Sequence, residues 1–503
     1  MKLLKNTCLF SLVLCLFSGI LTAQETALIK IDPDRKIDAI DPNIYGAFVE
    51  PIRTVVYGNI YDPESPFADE NGFRKDFIDL IKELNVRNVR WPGGNFVSGY
   101  NWEDGIGPKD QRPAKLDLAW KQIETNQMGT DEYAKFCSLI GADNFLCINA
   151  GTGTLDDARN WVEYCNYEKG TYYSDLRRKY GNEEPFNVKY VGLGNEIDGP
   201  WQIGQKSAED YCKFALEAGK LIALIDEDIK LVASGSSLYR PGNKWVDWNE
   251  YVLDKMVGKI DYISIHRYAS EALPGGREND VFSDHMSLGL EIDEKIETTQ
   301  ASIQKAMVKS GSERPVYISF DEYSPGFGGI RSALLLAQHL NSFIRHADIV
   351  KMANITMITG LTGHSPEGVF KNSLFHTFDL YSNNALGTAL DVYTDTPSYN
   401  NKIFDNIPYL DVTAIFNESD RKVIVNVVNR HETDAIETKI DLQAGKYTGK
   451  ATVKVINADN LEARNTIDES PVSVETDQIN FKGNVIKHTF PAHSFTQIEI
   501  ATK

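Results

Sequence analysis

Two glutamates stand directly after predicted strands, where an acid is well placed to do chemistry. Glu196 follows a strand predicted over residues 188–193, after a break at Gly194 and beside Asn195. Glu322 follows a strand predicted over residues 316–320, in which β-branched and aromatic residues are frequent. In a parallel α/β barrel the carboxyl ends of the strands carry the catalytic groups. A lone glutamate there is usually a solvated loop acid, but two of them suggest the paired carboxyls that hydrolyse glycosidic bonds.

Polar side chains end most of the other predicted strands as well. Arg90 lies inside the second strand, where its charge would either favour an ionised Glu322 or form a structural ion pair within the barrel. His266 and Tyr268 could hydrogen-bond the nucleophile and the sugar, although a single histidine at a strand end is more often a satisfied polar residue. The polar residues expected on this rim are Glu50, Asn95, Asn149, Asn195, Glu196, His266, Tyr268 and Glu322.

Two features near this rim allow more than one interpretation. Trp102, in the run GYNWEDG, could stack on the apolar face of a sugar, or its ring could belong to the core. The run NAGTGT at residues 149–154 resembles a phosphate-binding loop, but it lacks the full GxGxxG pattern and the lysine of a P-loop. We therefore expect no phosphate site there.

Composition and charge limit the classes of function. The chain has 503 residues with 42% hydrophobic content, which is enough for two or three packed domains. Its net charge of −19 argues against nucleic-acid or anionic-membrane partners, which are recognised by clustered lysine and arginine. We expect a carbohydrate substrate, no nucleic acid and no membrane.

Residues 1–23 have the pattern of a secretory signal peptide. Lys2 and Lys5 precede an apolar run that ends near Ala23. This pattern predicts export to the periplasm or the medium. The remaining cysteines, Cys137, Cys147, Cys165 and Cys212, allow two disulfides in three connectivities, or free buried thiols. No CxxC or HExxH spacing occurs, so we predict no metal site and no cofactor.

The middle of the chain alternates strands and amphipathic helices without a repeat period. Residues 73–84 and 208–225 have helical periodicity, and Ser207 is a plausible N-cap of the second helix. This alternation predicts a (β/α)₈ TIM barrel, with a doubly wound open sheet as the alternative. The eight predicted strands cover residues 43–49, 87–91, 144–149, 188–193, 230–234, 261–266, 316–320 and 352–358.

After residue 390 the helical periods stop and short alternating runs follow. They predict a C-terminal, jelly-roll-like β-sandwich of about 100 residues. We expect a signal peptide at 1–23, an N-terminal strand at 24–42 that joins the sandwich, a catalytic barrel at 43–390 and the sandwich at 391–503. The predicted sandwich strands cover residues 410–416, 423–428, 437–442, 452–456, 472–475, 485–490 and 496–500.

Several long motifs resemble glycoside hydrolase family 51, the α-L-arabinofuranosidases of clan A. The run VRWPGGNFVSGYNWEDGIGP at residues 89–108 carries the closest likeness. The likeness extends from about residue 44 to residue 389, and the motifs appear in the family's order. The supporting motifs are GAFVEP around Glu50, ETNQMGTDEY at 124–133, VGLGNEIDGPWQIG at 191–204 and ISIHRYAS at 263–270.

The resemblance implies hydrolysis by double displacement with retention of configuration. It implies that Glu196 is the acid/base and Glu322 the nucleophile. It also implies that Glu50, Asn95, Asn195 and Tyr268 contact the sugar, with His266 nearby. Tyr323 replaces the family's tryptophan after the nucleophile, and Asn372 aligns with a sugar-contacting glutamine.

These observations together predict an exo-acting enzyme that removes terminal α-L-arabinofuranosyl groups from arabinan, arabinoxylan or derived oligosaccharides. A different sugar specificity, such as galactofuranosidase, or an endo-glucanase activity is an alternative within the enzymes. A noncatalytic carbohydrate-binding protein on a decayed barrel is an alternative of another class, against which the intact Glu196 and Glu322 argue. The resemblance also implies a homo-oligomer, often a hexamer.

Overall fold

The structure is a computed structural model that describes residues 26–238, 244–269, 281–326 and 328–503. The predicted signal peptide at 1–23 therefore lies outside the described residues. None of the helices in the described ranges combines the length and the hydrophobicity that crossing a bilayer requires.

Eight parallel strands form a closed barrel, so the predicted TIM barrel is confirmed and the open-sheet alternative is wrong. They are β2, β3, β6, β7, β8, β9, β10 and β11, and each overlaps one of the eight predicted strands. The strands up to the end of the barrel are β1 (Thr26–Ala39), β2 (Gly46–Phe48), β3 (Asn88–Trp91), β4 (Lys115–Asp117), β5 (Gln122–Glu124), β6 (Asp143–Cys147), β7 (Tyr190–Gly192), β8 (Lys230–Ser234), β9 (Tyr262–Tyr268), β10 (Tyr317–Ser324), β11 (Val350–Thr356), β12 (Thr362–Ser365) and β13 (Gly368–Lys371).

Amphipathic helices cover the outside of the barrel. Helix α5 begins after Ser207, whose side chain accepts a hydrogen bond from the amide of Asp210, as the capping pattern predicted. The helices are α1 (Lys75–Glu83), α2 (Thr130–Ile140), α3 (Leu155–Asn166), α4 (Tyr172–Lys179), α5 (Ala208–Ile225), α6 (Trp245–Met256), α7 (Phe282–His285), α8 (Leu288–Ser310), α9 (Gly329–Arg345) and α10 (Ser373–Asn384).

The barrel interior is filled by side chains from the strands. Five strands each contribute one buried residue to a layer of bulky apolar groups. Such a layer makes the barrel a packed core rather than a pore, so a ligand can enter only at the rims. The layer consists of Phe145, Tyr190, Val232, Tyr262 and Met352.

The C-terminal part folds as the predicted β-sandwich. Nine strands are hydrogen-bonded in the order β21-β20-β23-β18-β17-β14-β1-β19-β22, and residues from both ends of this order share one apolar core. The remaining strands are β14 (Thr388–Asp395), β15 (Ser398–Tyr399), β16 (Ile407–Pro408), β17 (Leu410–Asn417), β18 (Lys422–Asn429), β19 (Ile436–Leu442), β20 (Tyr447–Ile456), β21 (Val474–Asn480), β22 (Val485–Phe490) and β23 (Ser494–Thr502).

The N-terminal strand β1 lies between two strands of the C-terminal sheet. It pairs antiparallel with β14 and parallel with β19. The boundary expected between residues 390 and 391 falls inside β14, which is a single strand.

The four described cysteines are free and buried. Of the alternatives that the sequence left open, the structure therefore shows buried thiols, and these pack as small apolar groups.

Candidate active site

Glu322 lies on β10, at the carboxyl-terminal rim of the barrel, and is 3% exposed. The Arg90 Nη1 group donates to its Oε1 over 2.7 Å. The Tyr268 hydroxyl donates to its Oε2. These two contacts fix both carboxyl oxygens, so the side chain is held in one orientation.

Arg90 organises the floor of the site from strand β3, which lies three strands from β10 around the barrel. Its Nη2 group donates to Asn195 Oδ1 over 2.6 Å, and its Nε lies 3.4 Å from an oxygen of Asp321. The guanidinium is 1% exposed. The expected ion pair with Glu322 is thus present, and the same side chain also orients Asn195.

Glu196 is carried by the loop after β7 and is 12% exposed at its side chain. Its backbone has a φ of 43°, in the left-handed region that side chains rarely adopt. The His266 ring contacts Oε1 through Nδ1 at 2.9 Å, and the Trp201 indole donates to Oε2 over 2.8 Å. This strained turn and these two partners orient Glu196 towards the rim.

The two candidate carboxyls are close together. One oxygen of Glu196, one of Glu322 and a ring nitrogen of His266 lie within 4.8 Å of one another. Burial raises the pKa of Glu322 and the charge of Glu196 raises it further, which together outweigh the attraction of His266 and Arg90. Burial also acts on Glu196, but hydrogen bonds from His266 and Trp201 bring its pKa below the usual value.

His266 bridges Glu196 and a further buried acid, Asp321. Its Nε2 lies 3.2 Å from Asp321 Oδ1. Burial opposes protonation of the ring, but the surrounding carboxylates raise the pKa of His266 to about 10. At neutral pH both ring nitrogens carry protons, so neither offers the lone pair that a metal ion needs. This cluster is therefore suited to holding a proton rather than a metal.

Glu50 lies opposite Glu322 across the loop that follows β3. Its Oε1 accepts hydrogen bonds from the amide of Phe96 over 2.8 Å and from the Trp120 indole over 2.9 Å. Burial raises the pKa of Glu50 to about 8, and the charge of Glu322 adds to that effect. Glu50 is therefore mostly protonated at neutral pH.

The Trp120 indole reaches Glu50 from the turn of the hairpin β4–β5. Asp117 holds this turn by accepting from the amides of Ala119 and Trp120. The Gln122 side chain ties the hairpin to the barrel by donating to the carbonyl of Pro51 over 2.7 Å.

Two amides of the site keep polar atoms without a protein partner. Asn195 Nδ2 and Asn95 Oδ1 are buried and have no hydrogen bond to any residue in the part of the chain that the structure describes. Such atoms need a partner to offset their desolvation, and hydroxyl groups of a bound sugar would supply one.

Two predicted substrate-binding residues have structural contacts of their own. Trp102 is 2% exposed, and its ring stacks on Trp161 with centroids 6.0 Å apart. Asn372 is the N-cap of α10: its Oδ1 accepts from the amide of Phe375 and its Nδ2 donates to the carbonyl of Gly360, both over 2.9 Å. The Asn372 side chain is thus engaged by the main chain at the start of the helix.

Three residues of the site were not among the predicted ones. Asp321 was not predicted as a site residue; it precedes Glu322 in β10, where adjacent side chains normally face opposite ways. Trp120 lies in the turn of the hairpin β4–β5, whose strands were not among the predicted ones. Trp201 lies in the motif VGLGNEIDGPWQIG that was used for the resemblance, so its proximity to Glu196 in the chain was a usable signal.

Comparisons with known proteins agree with this geometry. A family model described as the α-L-arabinofuranosidase 1 domain matches residues 80–270, and one described as the α-L-arabinofuranosidase C-terminal domain matches residues 328–494. An intracellular exo-α-(1→5)-L-arabinofuranosidase of Halalkalibacterium halodurans is 38% identical over 466 residues, which cover 88% of this chain and 92% of the relative. A family 51 α-L-arabinofuranosidase of Bifidobacterium longum superposes with a TM-score of 0.88 at 28% identity, covering 94% and 99% of the two chains. The chain belongs to glycoside hydrolase family 51.

A second solved structure supports the assignment of this family 51 chain. The α-L-arabinofuranosidase of Thermotoga maritima, solved as an arabinose complex, has a TM-score of 0.86 and 34% identity, with 94% and 99% coverage. The family 51 enzyme is thus a glycoside hydrolase of the α-L-arabinofuranosidase type, as the sequence predicted.

The prediction of export is contradicted by the relatives. The Halalkalibacterium halodurans enzyme is named intracellular, and so is a Bacillus subtilis enzyme that is 35% identical over 461 residues, with 86% and 91% coverage. The prediction rested on an apolar run behind two lysines, which reports local hydrophobicity and charge but not the compartment in which the fold works.

Proposed function

We propose that this family 51 enzyme is an exo-acting, retaining α-L-arabinofuranosidase that releases terminal arabinofuranosyl groups from arabinan or arabinoxylan chains. One observation carries the mechanism: oxygens of Glu196 and Glu322 lie within 4.8 Å of one another. Retaining glycosidases hold their carboxyls about 5–5.5 Å apart, whereas inverting enzymes need about 6.5–9.5 Å to place a water. This separation supports double displacement.

Glu322 is the nucleophile in this proposal. Arg90 and Tyr268 hold both of its oxygens at the buried floor of the site. A carboxylate fixed in this way can attack an anomeric carbon above it and form the covalent glycosyl-enzyme. The Arg90 charge stabilises the ionised form that attacks.

Glu196 is the acid/base. It lies nearer the rim than Glu322, beside Trp201, which is 49% exposed. The open side of the site is where a leaving group departs and where water enters, so Glu196 can protonate the leaving oxygen and later activate water.

This assignment requires Glu196, as the acid, to carry the proton of the pair when the first step begins, and Glu322 to be ionised. In the structure the pKa of Glu322 is raised and that of Glu196 is lowered, which is the reverse of what the first step needs. The two groups titrate as a pair because they are so close. Positive charge that develops on the sugar beside Glu322 favours its ionised form, which leaves the proton with Glu196.

The sugar is held by the remaining polar groups of the rim. Asn195 Nδ2 and Asn95 Oδ1 have no partner among the described residues and can bond to sugar hydroxyls. Glu50 in its protonated form can donate to a hydroxyl while Trp120 keeps it in place. No cofactor takes part in this proposal.

The linkage and the assembly are parts of the same proposal. Exo action on α-1,5 links is carried over from the names of the Halalkalibacterium halodurans and Bacillus subtilis relatives. We include the homo-oligomer implied by the resemblance, since the outer face of the hairpin β4–β5 exposes Leu116, Leu118 and Ile123 by 60%, 64% and 63%. We also propose a domain division at 42/43, and we place the second boundary before β14 rather than at 390/391.

Hydrolysis of aryl glycosides tests the proposal, with Glu322→Ala as the blank. The panel contains the α-L-arabinofuranoside, the β-D-galactofuranoside, the α-L-arabinopyranoside and the β-D-glucoside. We expect clear preference for the arabinofuranoside, with the α-anomer of arabinose as the first product seen by proton NMR. Activity on another glycoside alone would overturn the specificity, and a β-anomer as first product would overturn retention.

A further inference from the structure

A separate cavity of about 240 Å³ lies on the same rim of the barrel as the candidate active site. Its walls come from the loop after β3, the loop after β6 and the first turns of α3. Neither carboxyl of the catalytic pair lines it. The residues that carry its chemistry are Gly99, Trp102, Glu103, Thr152 and Asp157.

The cavity adjoins the loop that carries Glu196. Trp201 contacts Glu196, and the next residue, Gln202, donates from its side chain to the hydroxyl of Ser98. A Cβ placed on Gly99 would lie 3.4 Å from Ile203 Cδ1. One wall of the cavity thus packs against the loop of the acid/base. Because the acid/base protonates the leaving group, this loop marks the leaving-group side of the site.

Trp102 lines the cavity and carries a hydrogen-bond donor that no described residue uses. Its ring is 2% exposed and one face is covered by Trp161, so it cannot serve as a stacking platform. Its Nε1 is buried and has no hydrogen-bond partner among the described residues. A buried indole N–H normally finds an acceptor, and a polar ligand in the cavity would provide one.

Two carboxylates contribute acceptors to the same cavity. Glu103 uses Oε1 to accept from the Tyr173 hydroxyl over 2.7 Å, and Asp157 uses Oδ2 to accept from the amide of Thr154 over 2.7 Å. These contacts fix both side chains and occupy one oxygen of each. The second oxygen of each carboxyl has no hydrogen-bond partner among the described residues and can accept from a ligand.

This donor and acceptor set selects a class of ligand. Two carboxylates repel phosphate and other anions, so the sequence run 149–154 does not form a phosphate site. The indole N–H in turn disfavours a metal cation. A hydroxyl both donates and accepts, so a neutral sugar ring with several hydroxyls matches the set, and the volume is that of a small ligand.

We propose that this cavity is a subsite for a neutral sugar residue of the chain that remains after cleavage. The inference rests on the proposed function and adds a position on the leaving-group side. Sugar units bound there increase the productive positioning of oligosaccharides but not of aryl arabinofuranosides, which lack those units.

The test compares 4-nitrophenyl α-L-arabinofuranoside with α-1,5-L-arabinotetraose in three enzymes. Glu103→Ala removes an exposed acceptor of the cavity, and Asp110→Ala removes an exposed acid in the next turn of chain, outside the cavity. We expect Glu103→Ala to lose at least fivefold more kcat/KM on the tetraose than on the aryl substrate, and Asp110→Ala to change neither. Glu103→Gln, which can still accept a hydrogen bond, should recover part of the loss.

A crystal of the Glu322→Gln enzyme soaked with the tetraose provides the second measurement. A sugar ring in the cavity, bonded to Trp102 Nε1, supports the subsite. Equal losses on both substrates for Glu103→Ala, or a cavity that holds only water or an adventitious additive only, would overturn it. Wild-type enzyme that cleaves neither substrate would instead overturn the proposed function, and the subsite with it.

Discussion

Arg90 shows how one buried side chain determines the charge distribution of the site. Its guanidinium contacts Glu322, Asn195 and Asp321, and it is 1% exposed. Without this cation, the site would bury several carboxyls that repel one another. Its interaction with Glu322 therefore belongs to the stability of the fold as well as to the chemistry.

The loss of kcat/KM on removal of Glu196 should depend on the acidity of the leaving group. We expect Glu196→Ala to lower kcat/KM about 10²–10⁴-fold on arabino-oligosaccharides, because their leaving alcohols need a proton. The loss on an aryl substrate with an acidic phenol should be much smaller, and Glu322→Ala should be inactive on both. Steady-state kinetics on the two substrates measure this difference.

Glu209→Ala, on the exposed first turn of α5, is the matched control and should behave as wild type. Equal losses on both substrate classes for Glu196→Ala would contradict its role as the acid.

The raised pKa of Glu50 makes a prediction about stability. Its folded pKa of about 8 exceeds the value of 4.5 expected when unfolded. A group whose pKa is raised on folding contributes stability below its unfolded pKa and loses it as the pH rises through the folded pKa. The wild type should therefore lose stability between about pH 4.5 and pH 8 through Glu50.

Glu50→Gln removes this titration while keeping the acceptor for Phe96 and Trp120. We expect the Tm of the variant, relative to wild type, to increase from pH 5 to pH 8. Thermal unfolding at the two pH values measures the difference. A difference that stays constant with pH would show that Glu50 does not titrate in this range.

At the scale of elements, an irregularity in β10 builds much of the site. The pairing of β10 with β9 changes register between Ser319 and Glu322, and its pairing with β11 changes between Phe320 and Tyr323. Such a bulge re-aims side chains that would otherwise alternate between the faces. It allows both Asp321 and Glu322 to contact Arg90 inside the barrel.

The loop after β3 passes close to Glu50 and Glu322 at a glycine. A Cβ placed on Gly94 would lie 3.2 Å from Glu50 Oε2 and 3.4 Å from Glu322 Oε1. We expect Gly94→Ala to lower kcat/KM at least about tenfold, a cost of about 1.4 kcal/mol in the transition state, because the methyl group occupies the space between these carboxyls.

Gly360→Ala is the control, since a Cβ there meets no atom within 4 Å. Kinetics and Tm are measured for both variants. A Gly94→Ala enzyme with wild-type kcat/KM would show that the sugar does not occupy the space beside Gly94.

At the scale of the whole molecule, a buried polar network joins the barrel to the sandwich. Asp411 of β17 accepts from Asn341 of α9 over 3.1 Å and pairs with Arg345. Arg430, after β18, donates to Gln338 over 2.9 Å and lies 3.5 Å from Asp411. The sandwich is therefore joined to the barrel by buried side chains of opposite charge, each of which offsets the desolvation of the other.

Removing Asp411 should destabilise both domains together. Arg430 is 4% exposed at its side chain, and Asp411→Ala leaves it without this carboxylate. We expect a loss of about 3 kcal/mol in the free energy of unfolding, the lower end of the range for breaking a buried ion pair, because Arg345 is partly exposed and keeps Asp293.

Denaturant unfolding followed by tryptophan fluorescence and circular dichroism measures this loss. Asp391→Ala breaks an exposed pair with Arg35 and should cost less than about 1 kcal/mol. Separate transitions for the two signals in Asp411→Ala would show that the domains unfold independently.

Much of the fold was determined by the sequence itself. The eight barrel strands and the sandwich strands were predictable because strand periodicity and turn residues are local properties of the chain. The motif from residue 89 to residue 108 and the motifs around Glu196 and His266 identified the family for the same reason. They also placed both glutamates near the carboxyl ends of their strands, although β10 extends past Glu322 to Ser324.

Only the tertiary structure decided which side chains meet. The 4.8 Å cluster of Glu196, His266 and Glu322 depends on closure of the barrel, which brings distant strands together. The bulge that turns Asp321 inward arises from pairing with neighbouring strands. Trp102 lines a second cavity, and Trp161 covers its ring. Such contacts are non-local, so no pattern along the chain specifies them.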